Sequence, residues 1–148
     1  MVALLWTWLI RYGHVLSAGI WLGGYALLAL VLIPRLEKQA NDTLLGVTLA
    51  TVRLLTYAGT ATMAFGLLLV PRTRGFARLI EGGEWGGIVA AGIVIAVALL
   101  GIGDSALRPA LKQWEQGGVR RAQRWAWIGF ILTILAIGLM TRLIYALS

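Results

Sequence analysis

The chain has 148 residues, enough for about one domain, with 59% hydrophobic residues, 13% charged residues and a net charge of +7. So few charges cannot coat a water-soluble globule, whose charged fraction sits near about a quarter, and the natural solvent for most of this surface is lipid. The absence of cysteine excludes disulfides, iron–sulfur clusters and thiolate metal sites. The positive charge is gathered between apolar runs, which fits membrane topology and anionic lipid headgroups, and nucleic acid is not expected as a partner.

Four apolar segments, about 4–33, 54–70, 85–107 and 122–147, are candidates to cross a hydrocarbon core of about 30 Å, which takes about 20 helical residues. The expected fold is all-α: one integral membrane domain, a four-transmembrane-helix bundle. The first segment lacks a basic leader and a small-residue cleavage site, so it reads as a retained helix and not a signal peptide. It is longer than a span requires and is expected to tilt or project. Pro34, Pro71 and Pro109 are the only prolines, and each stands at a segment end, where a residue without an N–H is expected to stop a helix. Glycine pairs at 82–83, 86–87 and 117–118 mark the other turns.

The first and third connections share one side of the membrane. They carry Arg35, Lys38, Arg53, Arg108, Lys112, Arg120, Arg121 and Arg124. The other side has Arg72, Arg74 and Arg78, joined by Arg11 and Arg142. The bias places both termini outside, and the expected location is multi-pass in a prokaryotic cytoplasmic membrane. Trp6, Trp8, Trp85, Trp114, Trp125, Trp127, Tyr12 and Tyr145 fall near segment ends, as an aromatic belt does, whereas Trp21 is mid-span.

His14 is the only histidine and lies inside the first span. An ionisable group there is costly unless partnered, which makes it the first candidate for function. Imidazole is a common axial ligand of haem and a usual ligand of copper. The alternative is a neutral histidine hydrogen-bonding a neighbouring helix. Arg11, His14, Ala18, Trp21 and Tyr25 recur at helical spacing and share a face. Gly13, Ser17 and Gly24 keep the adjacent surface thin, leaving room for a flat macrocycle or for a closely packed helix. Trp21 and Tyr25 would pack on a macrocycle's rim and Arg11 would pair with a propionate. In the competing reading the same face packs on a helix and Arg11 snorkels to headgroups.

Gly19 and Gly23 form a GxxxG, suited to close packing within the chain or to a homodimer. Asp104 is four residues before Arg108, which suggests an ion pair, with Arg53 a second candidate neutraliser and a proton relay the alternative. Methionine occurs only at positions 1, 63 and 140, a thin donor set for a copper path. No phosphate-binding loop, nucleophile elbow or zinc-protease motif is present in the sequence.

The stretch RYGHVLSAGIWLGGYALLALVLIPRL, residues 11–36, resembles the first helix of the CopD-type membrane domain, in His14, Trp21, Gly23 and Gly24. Residues 53–70, RLLTYAGTATMAFGLLLV, resemble that family's second helix. Chain order, length and the Pro34-Arg35-Leu36 exit also resemble the HemJ-type protoporphyrinogen oxidases. The resemblance implies a bundle that holds haem b or a metal at His14. HemJ-type proteins carry a lysine in the third helix, and none stands between Lys38 and Lys112 here, so their oxidase activity is not implied. The expected function is haem b binding through His14 with a membrane electron-transfer or redox role. Copper handling at His14 is one alternative. The other is a cofactor-free accessory subunit of a larger membrane complex.

Overall fold

A computed structural model describes residues 2–39 and 41–146; Leu147, the expected last residue of the fourth span, lies outside the described residues. The structure is an all-α bundle, with no strand among the described residues. Helix α1 runs unbroken through Val2–Lys38, α2 through Asp42–Arg72, and α4 through Gly83–Lys112; α5 is Gly118–Ala146, of which Gly118–Leu143 is the membrane-spanning part. A short helix, α3, occupies Gly75–Glu81 between α2 and α4. Each long helix has the length and apolarity to cross a bilayer.

Local chemistry sets the ends. Asn41 caps α2, its Oδ1 accepting from the Leu44 N–H at 2.7 Å, and Asp42 adds negative charge to the first turn. Thr73 finishes α2, its hydroxyl donating to the Leu69 and Val70 carbonyls at 3.1 and 3.0 Å. Gly82 and Gly83 both take positive φ (82° and 87°), a pair of left-handed residues that turns the chain into α4 and that side chains disfavour.

The helices run beyond the apolar segments at most of their ends, and two prolines do not stop them. Pro34 lies inside α1 and Pro109 inside α4, each just after a π turn, Leu28–Leu32 and Ile102–Leu107. The wider register is the physical remedy: one extra residue per turn relieves the clash of the proline ring with the preceding turn. In that register Ile33 donates to the Leu28 carbonyl, so the next acceptor, Ala29, would need the N–H that Pro34 lacks. Gln123 of α5 supplies it, donating through Nε2 to the Ala29 carbonyl at 2.8 Å. In α4 the register changes where the Ile102 N–H is shared between the Ala98 and Leu99 carbonyls. Tyr25 of α1 donates its hydroxyl to Leu99 there, at 2.7 Å. The first π segment is thus bonded to α5, and the turn just before the second is bonded to α1, each by a side-chain donor.

The membrane boundaries follow from where the charges stand. Nineteen residues separate Arg53 from Arg72 in α2, twenty separate Glu84 from Asp104 in α4, and eighteen separate Arg124 from Arg142 in α5. At 1.5 Å per residue these stretches are about 27–30 Å long, the thickness of a hydrocarbon core. One boundary therefore passes Arg72, Glu84 and Arg142, with Arg11 of α1 near the same level. The other passes Arg53, Asp104 and Arg124.

The packed core belongs to the second half. Tyr25, Leu28, Ile33, Leu36, Leu55, Leu99, Leu107 and Leu111 are fully buried there. In the first half α1 shows Leu5, Trp8, Tyr12, Val15 and Leu16 to lipid. Trp6, Trp8, Tyr12 and Tyr145 are exposed, as belt residues are, but Trp85 is 5% exposed and faces inward. Gly19 and Gly23 meet nothing within 4 Å of where a Cβ would sit, so the GxxxG does not serve packing within the chain.

Candidate functional site

Helices α1 and α2 are drawn together by small residues. A Cβ on Gly59 would lie 2.6 Å from Trp21 Cζ2, and one on Gly24 would collide with Leu55. Ser17 and Thr62 meet through their hydroxyls at 3.0 Å, while Thr62 also donates back to the Ala58 carbonyl of its own helix. This close approach sets His14 beside Gly66, where a Cβ would stand 3.1 Å from the imidazole Cε1.

His14 Nδ1 lies 2.9 Å from the Thr62 carbonyl oxygen. A carbonyl only accepts, so Nδ1 carries the proton, and in the neutral ring Nε2 keeps its lone pair. The histidine bonds a neighbouring helix, as one of its two sequence readings expects, and it does so through Nδ1. A carbonyl that accepts from the other ring nitrogen fixes the orientation of a ligating imidazole in this way.

His14 lines a partly open cavity of about 690 Å³ between α1, α2, α4 and α5. That is within the range of about 300–1,000 Å³ typical of ligand and cofactor sites. Arg11 stands at its outer end, and Trp21 and Leu99 close its inner end. Ten residues of α1 separate Arg11 from Trp21, so the cavity runs about 15 Å, from the membrane boundary to mid-membrane. No carboxylate lines it, and Arg11 has no ion pair among the described residues.

Four of the five residues expected on the α1 face, Arg11, His14, Ala18 and Trp21, line this cavity. Tyr25 lies beyond its inner end. Its hydroxyl is committed to Leu99, and its ring fills the space over Gly129 of α5, where a methyl group could not fit. Tyr25 therefore joins three helices.

Three lining residues were not singled out by sequence. Met63 of α2 and Met140 of α5 line the same cavity as His14, each from a separate helix. Trp85 of α4 lines its outer part, with its indole N–H buried and without an acceptor among the described residues. Position near a span end gave Trp85 the look of a belt residue, and only its neighbours at Gly82–Gly83 and Gly86–Gly87 hinted at an unusually close approach of chain segments.

Asp104 forms the expected pair with Arg108 at 3.0 Å, and Thr56 of α2 donates to the same carboxylate oxygen at 3.3 Å. Clusters of three or more His, Cys, Asp or Glu suited to a metal ion are absent among the described residues. Compared with protein-family models, with curated proteins and with solved structures, the chain matches none.

Proposed function

We propose that the protein binds haem b in the four-helix cavity, where His14 Nε2 would hold the iron, and serves electron transfer or redox sensing within the membrane. The observation that carries the reading is the His14 Nδ1 to Thr62 carbonyl bond, which orients the ring and leaves Nε2 as a donor beside an apolar cavity. One further feature fits a dicarboxylate macrocycle: Arg11, at the cavity's lining, is a cation with no ion pair among the described residues. Bound haem would supply one-electron exchange at its iron. The chain's own part is to seat the macrocycle, exclude water and hold the ligand nitrogen. The likeness of residues 11–36 to CopD-type and HemJ-type helices supports the same reading. Detergent-purified protein supplemented with haem is expected to show a Soret band that His14→Ala loses. No band in the wild type, or an unchanged spectrum in His14→Ala, refutes the reading.

A second reading is favoured by the meeting of His14, Met63 and Met140 in one cavity. One imidazole with two thioethers is a donor set that suits copper(I). It predicts stoichiometric copper under reducing conditions, lost in His14→Ala and in Met63→Leu/Met140→Leu, with no Soret band after haem supplementation. Neither cofactor, with His14→Ala leaving a copurifying partner in place, is the result expected of an accessory subunit.

The side carrying the first and third connections is assigned to the cytoplasm of a prokaryotic cell by its excess of Arg and Lys. The chain has no native cysteine, so Gln116→Cys gives a single label site expected to react only from inside.

A further inference from the structure

We infer that the groove between α2 and α4 at the boundary opposite the termini binds a phosphate group, that of an anionic lipid headgroup. The groove has a volume of about 190 Å³ and is lined by Leu49, Arg53, Arg108 and Lys112. That is room for about six waters at their liquid volume, enough for an oxyanion.

Its construction follows from antiparallel helices in register. Thr56 of α2 touches Asp104 of α4, so one turn further out Arg53 comes level with Arg108, and a second turn out Leu49 comes level with Lys112. Three cations therefore line one groove. No carboxylate lines it among the described residues, and Asp104, one turn inward, pairs with Arg108. Arg53 and Lys112 have no ion pair among the described residues. Three like charges gathered at a membrane edge repel one another unless an anion joins them, and a net of two positive charges remains after Asp104 is counted. The Asp104 contact also fixes the Arg108 side chain from behind, with Thr56 holding the carboxylate in turn.

Depth selects the source of the anion. Arg53 stands about 28 Å along α2 from Arg72, at the edge of the hydrocarbon layer, where lipid phosphates lie. Leu49 gives the groove an apolar wall for the start of an acyl chain. Basic pockets between membrane helices bind anionic headgroups by this chemistry. The inference is independent of what fills the His14 cavity.

The test is native mass spectrometry of the full chain in detergent, titrated with phosphatidylglycerol, cardiolipin or phosphatidylcholine. The wild type is expected to retain the two anionic lipids over phosphatidylcholine. Arg53→Gln/Lys112→Gln is expected to weaken that retention about 30-fold, at about fivefold for each cation removed. Arg121→Gln/Arg124→Gln removes the same charge on the same side outside the groove and is expected to change it less than about threefold. Equal weakening in the two double variants, or none in the first, overturns the site. Lys112→Gln alone, at the exposed end of α4, gives the same reading at about fivefold if the double variant does not fold. Displacement of bound lipid by millimolar inorganic phosphate supports the phosphate site but assigns it to a soluble source; lipid retained against phosphate supports the headgroup.

Discussion

Tyr25 offers the sharpest test of how this bundle is held together, because its two contacts are separable. Tyr25→Phe removes only the hydroxyl that donates to Leu99 and leaves the ring in place over Gly129. A buried acceptor would then lose a partner, but the Leu99 carbonyl still shares the Ile102 N–H. The expected cost is about 1 kcal/mol, between the average of about 0.6 and the maximum of about 1.7 found for hydrogen bonds between membrane helices. Tyr25→Ala also removes a fully buried ring, and large-to-small changes of that kind cost about 3–5 kcal/mol. Gly129→Ala places a methyl where the ring sits, an overpacking that costs about 1–3 kcal/mol. The double variant Tyr25→Ala/Gly129→Ala has no ring to collide with. It is therefore expected to lose less than the two single changes together, by about the overpacking cost of 1–3 kcal/mol. The assay is unfolding in sodium dodecyl sulfate followed by far-ultraviolet circular dichroism. Strict additivity, or a Gly129→Ala variant as stable as the wild type, would refute the three-helix junction.

Gln123→Leu takes the donor from the Ala29 carbonyl but also removes a buried Oε1 that has no partner, so the net loss is expected to stay under about 1 kcal/mol. In a Pro34→Ala background the restored N–H can serve Ala29, and the same change should cost nothing; an unchanged cost in the unfolding assay would break the link between proline and glutamine. Gly66→Ala brings a methyl to 3.1 Å from the His14 ring and is expected to reduce haem retention mildly, whereas Gly66→Leu should abolish it as His14→Ala does. Normal Soret intensity in Gly66→Leu would show that the ring is not held against α2. The Arg142–Glu84 contact joins α5 to α4 at 2.7 Å, but both side chains are more than half exposed. Glu84→Gln is accordingly expected to change stability by less than about 1 kcal/mol, with the difference disappearing at high salt.

The four spans were legible because hydropathy, charge spacing and aromatic placement report the same solvent. The path of the backbone around Pro34 and Pro109 was not legible. A proline stops a helix only when nothing else satisfies the carbonyl it orphans, and whether a donor such as Gln123 is at hand for Ala29 is a tertiary fact with no local signal. The same limit explains the site. Helical spacing put Arg11, His14, Ala18 and Trp21 on one face, and these four line one cavity. It extended the face to Tyr25 because spacing knows nothing of where a neighbouring helix closes in, and here Gly129 lets α5 close over Tyr25. Met63 and Met140 looked dispersed at 77 positions apart, yet the second and fourth spans run in the same direction and both present a methionine to one cavity.

Depth also separates the two halves of the molecule by task. The half that holds the π turns is filled by large fully buried side chains and stitched by Tyr25 and Gln123, so it supplies the packing that keeps four helices in register. The half toward the termini gives up that packing to enclose the cavity. His14 sits there only about 4.5 Å along α1 from Arg11, close enough to the boundary for charge at one end of a ligand to meet Arg11 while its apolar body reaches Trp21 at mid-membrane. An isolated imidazole at that depth would be a liability without a partner. Thr62 removes half of the liability by accepting from Nδ1, and the exposed half, Nε2, is the atom on which the proposed function rests.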